Sequence, residues 1–315
     1  MNRIILSLLV LLSLTACQNA LHAGATRSVA GAPTMADGML VGEFDNHEQV
    51  WTARENAAAI APAHVVVTLE PTSHADWTLW RIHLDATPAM DAVWAMQQVA
   101  GANGATALLP HRALLAAPAM GAAFDAQQWA PLDACALRGT IAGTGIKVAG
   151  DPASCAAIVP GIGPQAPLLP IAVEREGEWL RLRLYADQAR GTEAREDARR
   201  IVFFGGWAAV NGAGPTAAAD SKDWHMDRSV RLGSEGGRAA LKWRDGSASG
   251  YSLGLERLTY RDGNVPVLKL SVIDDRNGGT LAYAWANPEA QRIGINLGWV
   301  QIGLQRETEA GAARR

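Results

Sequence analysis

Alternating apolar and polar positions recur in short runs along most of this chain. In residues 77–85 (WTLWRIHLD) apolar side chains fall at alternate positions, and in residues 179–185 (WLRLRLY) leucines alternate with arginines. A period of two residues is typical of a strand with one buried face. Further candidate strands of the first half lie at 64–70, 92–99, 105–109, 112–117, 135–142, 144–149 and 168–174. Short strands with turns between them predict an antiparallel barrel or sandwich rather than a βαβ sheet.

The second half shows the same pattern more regularly. Its turn segments, such as DGSASG and DRNGG, carry the glycine, asparagine and aspartate residues of hairpin turns. They separate six candidate strands at 228–233, 238–245, 251–260, 265–274, 280–286 and 291–306. We predict an antiparallel β-meander domain over 201–307. Most of its tryptophans alternate with polar or small residues, which favours core positions over positions that stack on a ligand.

Three segments depart from the strand pattern. A short helix is predicted from Asp37, as its N-cap, to about Glu55, with apolar residues near one face. The charged segment 186–200 (ADQARGTEAREDARR) predicts a solvated linker or a short helix that follows a first domain over 37–185. Residues 308–315 are predicted to be a disordered tail.

The N-terminus has the features of an export signal. A basic start (MNR), an apolar run from Ile4 to Leu14 and the ending LTAC predict a signal peptide over 1–16. The ending resembles the lipobox of bacterial lipoproteins, in which Cys17 becomes the lipidated N-terminus. The alternative is an ordinary cleaved signal with a free Cys17. Gln18 favours an anchor in the outer membrane with the globular part on the periplasmic face, joined by a flexible tether over 17–36.

Charge and cysteine content narrow the choice of partners. The formal net charge of -3 and the lack of Lys/Arg runs argue against a nucleic-acid partner. With Cys17 lipidated, Cys135 and Cys155 remain, and in an oxidising periplasm such a pair predicts a disulfide. Closing this loop would stabilise the fold by about 3 kcal/mol in the chain-entropy model. The alternative is two buried free thiols.

Several short motifs of the first half occur in the order of a known family. They are GEFDN-EQ at 42–49, VWAMQQ at 93–98, LLPHR at 108–112, LDAC at 132–135, then a glycine-bearing hairpin and Cys155. Together they resemble the CpcT/CpeT group of phycobiliprotein chromophore lyases over about residues 37–185. The resemblance implies a calycin-like (lipocalin-like) antiparallel β-barrel with a pocket. It also implies a linear tetrapyrrole as ligand, which those lyases attach to a cysteine of an acceptor protein.

Two differences from the family bear on activity. Pro110-His111-Arg112 stands where the family usually has Pro-Tyr-Arg, and the closing Trp-Asp-Arg-Gly segment is at best WLRLR here. A lipid-anchored periplasmic protein would also not meet a cytoplasmic phycobiliprotein. The resemblance therefore supports the barrel and its cavity more than bilin transfer.

The resemblance also indicates ligand-binding residues. In the family the Asn-x-x-Gln segment lies in an N-terminal helix at the barrel, and a spacing of three places Asn46 and Gln49 on one helix face. Their amides would contact a ligand, or would bond loop backbone and seal one barrel end. Arg112 would bind a ligand carboxylate through its guanidinium. His111 would move protons near neutral pH, unless it lies at the surface.

Two other motifs favour a structural interpretation. Residues 250–254 (GYSLG) match G-x-S-x-G but lie within a predicted strand, without the strand-to-helix turn of a hydrolase. Asp223, His225 and Asp227 share one side of an extended segment, yet a second histidine is missing for a metal site. No catalytic residue and no metal site are predicted.

Two functions remain open. In the first, a lipid-anchored envelope protein binds a hydrophobic, carboxylate-bearing small molecule, such as a tetrapyrrole, in its first barrel. In the second, a non-catalytic envelope scaffold contacts a protein or glycan partner through its tryptophan-rich second domain.

Overall fold

The structure, a computed structural model, describes residues 40–58, 61–100, 106–142, 145–191, 194–260 and 265–308. The predicted signal peptide (1–16), the tether with its lipidation site Cys17 (17–36), and all but the first residue of the predicted tail (308–315) lie outside these ranges. Within the same ranges, none of the helices is long and apolar enough to cross a membrane.

A closed antiparallel β-barrel forms the first domain. Its strands are β1 (Gly42–Asp45), β2 (His64–Pro71), β3 (Trp77–Asp85), β4 (Met90–Ala100), β5 (Thr106–Ala113), β6 (Trp129–Pro131), β7 (Leu137–Ala142), β8 (Gly145–Ala149), β9 (Pro170–Glu176), β10 (Trp179–Leu184) and β11 (Glu196–Arg200). Ten of them form the ring in the order β4-β3-β2-β1-β11-β10-β9-β8-β7-β5, and β5 pairs with β4 to close it. Strand β6 pairs with β5 beside the ring. The predicted antiparallel barrel is therefore confirmed.

Alternate residues of these strands fill the barrel interior. Trp80, Trp94 and Phe44 are fully buried there, among leucine, valine and isoleucine side chains from most of the ring. Full burial of one large apolar side chain stabilises a fold by about 1.5–3 kcal/mol. The interior is thus a packed hydrophobic core, and the burial of its largest side chains contributes to the stability of the barrel.

The second domain is a meander of eight strands. They are β12 (Phe203–Asn211), β13 (Trp224–Gly233), β14 (Glu235–Lys242), β15 (Ala248–Tyr260), β16 (Val265–Asp274), β17 (Gly279–Ala286), β18 (Arg292–Asn296) and β19 (Val300–Arg306). A front sheet has the order β13-β12-β19-β18 and a back sheet the order β14-β15-β16-β17. Their inner faces share one hydrophobic core. The predicted meander is confirmed.

The sequence prediction of this domain differs from the structure at two places. Strand β12 was not among the predicted strands, and segment 291–306 is two strands rather than one. The second difference has a local cause at Gly298, whose φ of +84° lies in the left-handed region that favours glycine. The chain turns there, and the backbone N–H of Leu297 donates to the carbonyl of Val300 at 2.9 Å.

Helices are short in the described residues. The α-helices are α1 (His47–Glu55) and α2 (Pro152–Ala156), and 3₁₀ segments lie at 126–128, 133–135, 159–161, 166–168, 185–190 and 214–216. The predicted helix from Asp37 to Glu55 is wrong in its first part, because β1 pairs with both β2 and β11. Helix α1 begins at His47, where Asp45 Oδ1 accepts the backbone N–H at 2.7 Å. Asp37 lies outside the described residues.

The predicted linker over 186–200 also needs correction. Its last five residues form β11, which pairs with β10 on one side and with β1 on the other. Its charged composition misled the sequence prediction because two of its charged residues, Glu196 and Arg199, are buried and ion-paired. This segment completes the barrel and leads directly into the second domain.

A disulfide joins Cys135 to Cys155, with 4.6 Å between their Cα atoms. It links the 3₁₀ segment Asp133–Cys135, just before β7, to helix α2 after β8. Asp151 caps α2 by accepting the backbone N–H groups of Ala153 and Ser154. The predicted disulfide is confirmed.

Ion pairs join the barrel to the back sheet, and the one between Arg199 and Glu235 is buried. Arg199 of β11 donates to Glu235 of β14 through Nε at 3.0 Å and Nη2 at 2.7 Å, and it also contacts Glu48 of α1. Arg257 of β15 donates to both oxygens of Glu178, at 2.6 and 3.0 Å. The side chains of Arg199 and Glu235 are only 3% and 0% exposed, so water screens their attraction weakly. We call these residues the polar junction.

Candidate functional site

The predicted ligand-binding amides are already hydrogen-bonded within the protein. Asn46 is fully buried; its Nδ2 donates to Ala63 O and to Glu196 Oε2, both at 2.8 Å, and its Oδ1 accepts from Val65 N at 2.8 Å. Gln49 donates to a backbone carbonyl of the segment before β11 and accepts a backbone N–H of β11. These bonds tie the start of α1 to β2, to β11 and to the segments just before those strands, so both amides have structural partners.

Glu196, the carboxylate that Asn46 contacts, belongs to the same hydrogen-bond network. Burial raises its pKa above the ordinary glutamate value, although hydrogen bonds from Arg190 and Asn46 oppose this effect. Arg190 Nη1 donates to Glu196 at 2.6 Å and to Asp187 at 2.9 Å. A perturbed carboxylate can mark a functional site, but Glu196 is 2% exposed and both of its hydrogen-bond partners, Asn46 and Arg190, belong to the protein.

His111 and Arg112 lie on opposite faces of β5. Arg112 is opposite Trp94 in the β4–β5 pair, and paired residues project to the same side, so Arg112 lies on the barrel's inner face and is partly exposed. His111 is buried on the outer face, where its ring packs 4.5 Å from that of Trp77. Burial lowers the pKa of His111 below its ordinary value. The structure therefore does not bring these two side chains together.

The two predicted pairs also lie far apart around the ring. Asn46 follows β1 and Arg112 is on β5, with β2, β3 and β4 between them. The barrel interior between them is filled by large side chains, with Trp94 Nε1 donating to Leu168 O at 3.0 Å. The four residues thus do not surround a common cavity.

His64 pairs with a buried carboxylate beside α1. Its Nε2 lies 2.8 Å from Asp45 Oδ1, and its Nδ1 lies 3.9 Å from Asp85 Oδ2. The hydrogen bond to Asp45 raises the pKa of His64 above the ordinary value of 6.5; the carboxylate charges add to this shift, while partial burial opposes it. The protonated imidazole is therefore the form that the fold favours.

We expect this pair to make stability depend on pH. Because folded His64 holds its proton more tightly than the unfolded chain, its contribution is complete below about pH 6.5 and is lost as pH rises through the higher folded pKa. Thermal melts from about pH 5 to pH 9 should show this loss in the wild type and not in His64→Gln. His83→Gln, which removes a largely exposed pair with Asp91, is the control. An identical pH profile in His64→Gln would contradict the assignment.

Surface grooves lie outside the barrel interior. Two flank α1, with volumes of 560 and 350 Å³, and are bordered by Arg190 and Arg181 respectively. Both arginines already donate to carboxylates, Arg190 to Glu196 and Arg181 to Glu174. A third groove, of 690 Å³, lies on the second domain between the front sheet and segment 215–219. We call it the meander groove.

A row of four aromatic rings crosses from α1 onto the outer face of the back sheet. Ring centroids are 5.5 Å apart for Trp51 and Tyr260, 5.7 Å for Tyr260 and Trp285, and 5.3 Å for Trp285 and Tyr283. Tyr283 and Trp285 are 56% and 58% exposed, and Leu281 beside them is 46% exposed. We call these four residues the aromatic row.

The sequence prediction missed the aromatic row. Core positions are predicted for most tryptophans of the meander, but Trp285 is exposed because Ala282 and Ala284 of β17 lie opposite the core residues Val272 and Leu270. Every position of TLAYAWA after the threonine is apolar, so its period does not reveal which face is buried. The available signal was the alternation of Tyr283 and Trp285 with alanine. Small alanine side chains fit on the face where two sheets pack closely, which leaves the aromatic rings for the outer face.

The remaining motifs have structural contacts. Ser252 of GYSLG is buried in β15 and donates to Asp275, without a following helix. His225 accepts the backbone N–H of Arg244, while Asp227 accepts from Ser229. Among the described residues, no group of three metal-ligating side chains is assembled.

Comparisons with known proteins add no relative. The chain matches no protein-family model, and searches of the curated proteins and of the solved structures give no match.

Proposed function

We propose that this chain is a lipid-anchored cell-envelope protein with a binding, non-catalytic role, and that its aromatic row contacts an envelope partner. The anchor rests on the lipobox-like ending at Cys17, which predicts the periplasmic face of the outer membrane. The observation that carries the proposed contact is the exposure of Tyr283 and Trp285 on the back sheet. Large apolar patches that stay exposed on a folded domain commonly mark interaction sites.

The chemistry of the row suits a partner contact. Tyrosine and tryptophan provide large apolar faces together with one polar group each, and they dominate binding energy at many interfaces. Lys269 Nζ lies 5.8 Å from the centroid of the Tyr283 ring, so a cation already sits beside the row. Leu281 and the 60% exposed Val265 extend the apolar area on either side.

In-cell photo-crosslinking tests this proposal. With p-benzoylphenylalanine in place of Leu281, we expect a crosslinked envelope component that disappears when Tyr283→Ser and Trp285→Ser are combined. The same probe in place of Leu115, which is 78% exposed on the first domain, is the control position. Digestion of the adduct by protease or by glycosidase then distinguishes a protein partner from a glycan. An adduct that survives the double substitution, or that forms equally at Leu115, would refute the contact.

The substitutions should leave the fold intact. Both side chains are more than half exposed, so their loss should lower the free energy of unfolding only by the value of their ring contacts, about 1 kcal/mol each. A melting curve that keeps a single cooperative transition separates loss of contact from loss of structure.

The other function is binding of a tetrapyrrole or a similar carboxylate-bearing ligand inside the CpcT/CpeT-like barrel. The packed interior of the barrel argues against it. Trp80, Trp94 and Phe44 occupy the space that such a guest would need. We expect the non-lipidated protein to cause no absorbance shift when titrated with biliverdin or haem, and its melting temperature to stay unchanged. A shift that is lost in Arg112→Ala would instead favour the ligand-binding barrel.

A further inference from the structure

Side-chain hydrogen bonds hold one wall of the meander groove in place. Asn211, fully buried at the end of β12, holds segment 212–222 through its side chain: its Nδ2 donates to Ser221 Oγ at 3.0 Å, and its Oδ1 accepts from Ala213 N at 3.2 Å. Trp224 Nε1 donates to Ser221 O at 3.1 Å, which fixes the indole that lines the groove. A cavity that exists before binding loses little conformational entropy when a ligand enters.

The lining of the groove is uncharged. None of the described residues that border it is an acid, a base or a histidine. Its walls combine the rings of Trp224 and Trp299, the thioether of Met226 and the methyl groups of Ala217–Ala219. A charged ligand would lose hydration here without gaining a counter-ion, so the charge pattern of the groove matches a neutral ligand. Its volume of 690 Å³ lies within the range of about 300–1,000 Å³ that small-ligand pockets span.

Two side-chain amides provide its polar contacts. Gln301 of β19 is partly buried in the groove, and within the described part of the chain its amide has no hydrogen-bond partner. Asn296 accepts the backbone N–H of Gly298 at 3.0 Å, which leaves its Nδ2 to donate. An amide offers both a donor and an acceptor, so these groups are complementary to a ligand that itself carries an amide.

We propose that the meander groove binds a neutral sugar that carries an N-acetyl group. The apolar C–H face of a pyranose ring packs against an indole, whose face carries partial negative charge. The acetamido group exchanges hydrogen bonds with the amide of Gln301, and its methyl packs against Met226 or the alanines of 217–219, where a flexible thioether adapts to its shape. The ring hydroxyls stay at the open side of the groove, in water.

This site goes beyond the contact proposed for the aromatic row. The groove belongs to the front sheet, through β12, β13 and β19, whereas Tyr283 and Trp285 lie on β17 of the back sheet. The two surfaces share no residue. Sugar binding at the groove and partner contact at the aromatic row can therefore be tested independently, and either can fail without the other.

Calorimetric titration of the non-lipidated protein with N,N′,N″-triacetylchitotriose tests the proposal, with cellotriose as the matched sugar that lacks acetamido groups. We expect binding of the acetylated sugar and at least tenfold weaker binding of cellotriose. Gln301→Ala should weaken binding about tenfold, the value of one to two net hydrogen bonds. Gln305→Ala is the matched control, because Gln305 is an exposed residue of the same strand outside the groove.

Each outcome is decisive because Gln301 makes no bond that the fold needs, so its variant should melt like the wild type. Absence of binding at millimolar sugar, equal affinity for cellotriose, or an equal loss in Gln305→Ala would overturn the proposal. Combined Tyr283→Ser and Trp285→Ser should leave the affinity for the acetylated sugar unchanged. A loss in that double variant would move the site to the aromatic row and would equally overturn it.

Discussion

The Arg199→Leu variant is expected to lose about 3–5 kcal/mol of unfolding free energy, because it leaves Glu235 buried without a counter-ion. Glu235 accepts two hydrogen bonds from this guanidinium, and its side chain is 0% exposed. Arg199 also donates to Arg257 O at 2.6 Å, so one substitution removes partners on α1, β14 and β15. Denaturant titration followed by tryptophan fluorescence measures the loss as a lower midpoint at an unchanged slope.

A neighbouring arginine provides the control. Arg195 is 50% exposed and pairs with Asp197, so Arg195→Leu should cost no more than about 1 kcal/mol. Combining Arg199→Leu with Glu235→Leu removes both charges and should restore part of the stability, since apolar replacement of a whole buried pair is often tolerated. If Arg199→Leu alone unfolds like the wild type, the polar junction is not a source of stability.

Replacing both disulfide cysteines, Cys135→Ala with Cys155→Ala, should lower the free energy of unfolding by about 2–5 kcal/mol. The bond closes a loop with a sequence separation of 20, and its removal frees the unfolded chain to explore more conformations. Both residues are also buried in the barrel core, so the lost packing acts in the same direction.

The disulfide has its own controls. Ser154→Ala removes an exposed hydrogen bond to Asp151 in the same helix and should have an effect of about 1 kcal/mol or less. A reducing agent should lower the melting temperature of the wild type and leave the double variant unchanged. If the reducing agent lowers the melting temperatures of the wild type and of the double variant equally, the stabilisation does not come from this disulfide.

Strand periodicity allowed much of the fold to be predicted, but short strands were missed. Strands β3 and β10 carry a clear alternation of apolar and charged residues, and both lie close to their predicted bounds. Strand β1 has four residues and is followed directly by a helix, so its polar cluster resembled one longer helix. For β11 the alternation is carried by Glu196 and Ala198, and a buried glutamate is not distinguishable from an exposed one in sequence.

The candidate sites were harder to predict because they depend on distant residues. Glu196 and Asn46 are 150 positions apart, and only the closed ring brings them into contact. Arg199 likewise contacts residues that are distant in sequence, Glu48 and Glu235. The aromatic row also joins distant residues, since it brings Trp51 next to Tyr260. The local sequence pattern indicates which side chains could bind a ligand. Only the tertiary structure shows which of them are already hydrogen-bonded or ion-paired within the protein.

The position of β11 determines how this protein can be divided. A fragment that ends at residue 185, where the sequence pattern suggests a boundary, would lack the strand between β1 and β10. It would leave two open strand edges with unpaired backbone groups, which favour aggregation. A fragment that ends after residue 200 would keep the ring. It would expose Arg199, however, because the partner carboxylate of Arg199, Glu235, lies in the second domain. The two halves are therefore best expressed and studied as a single piece.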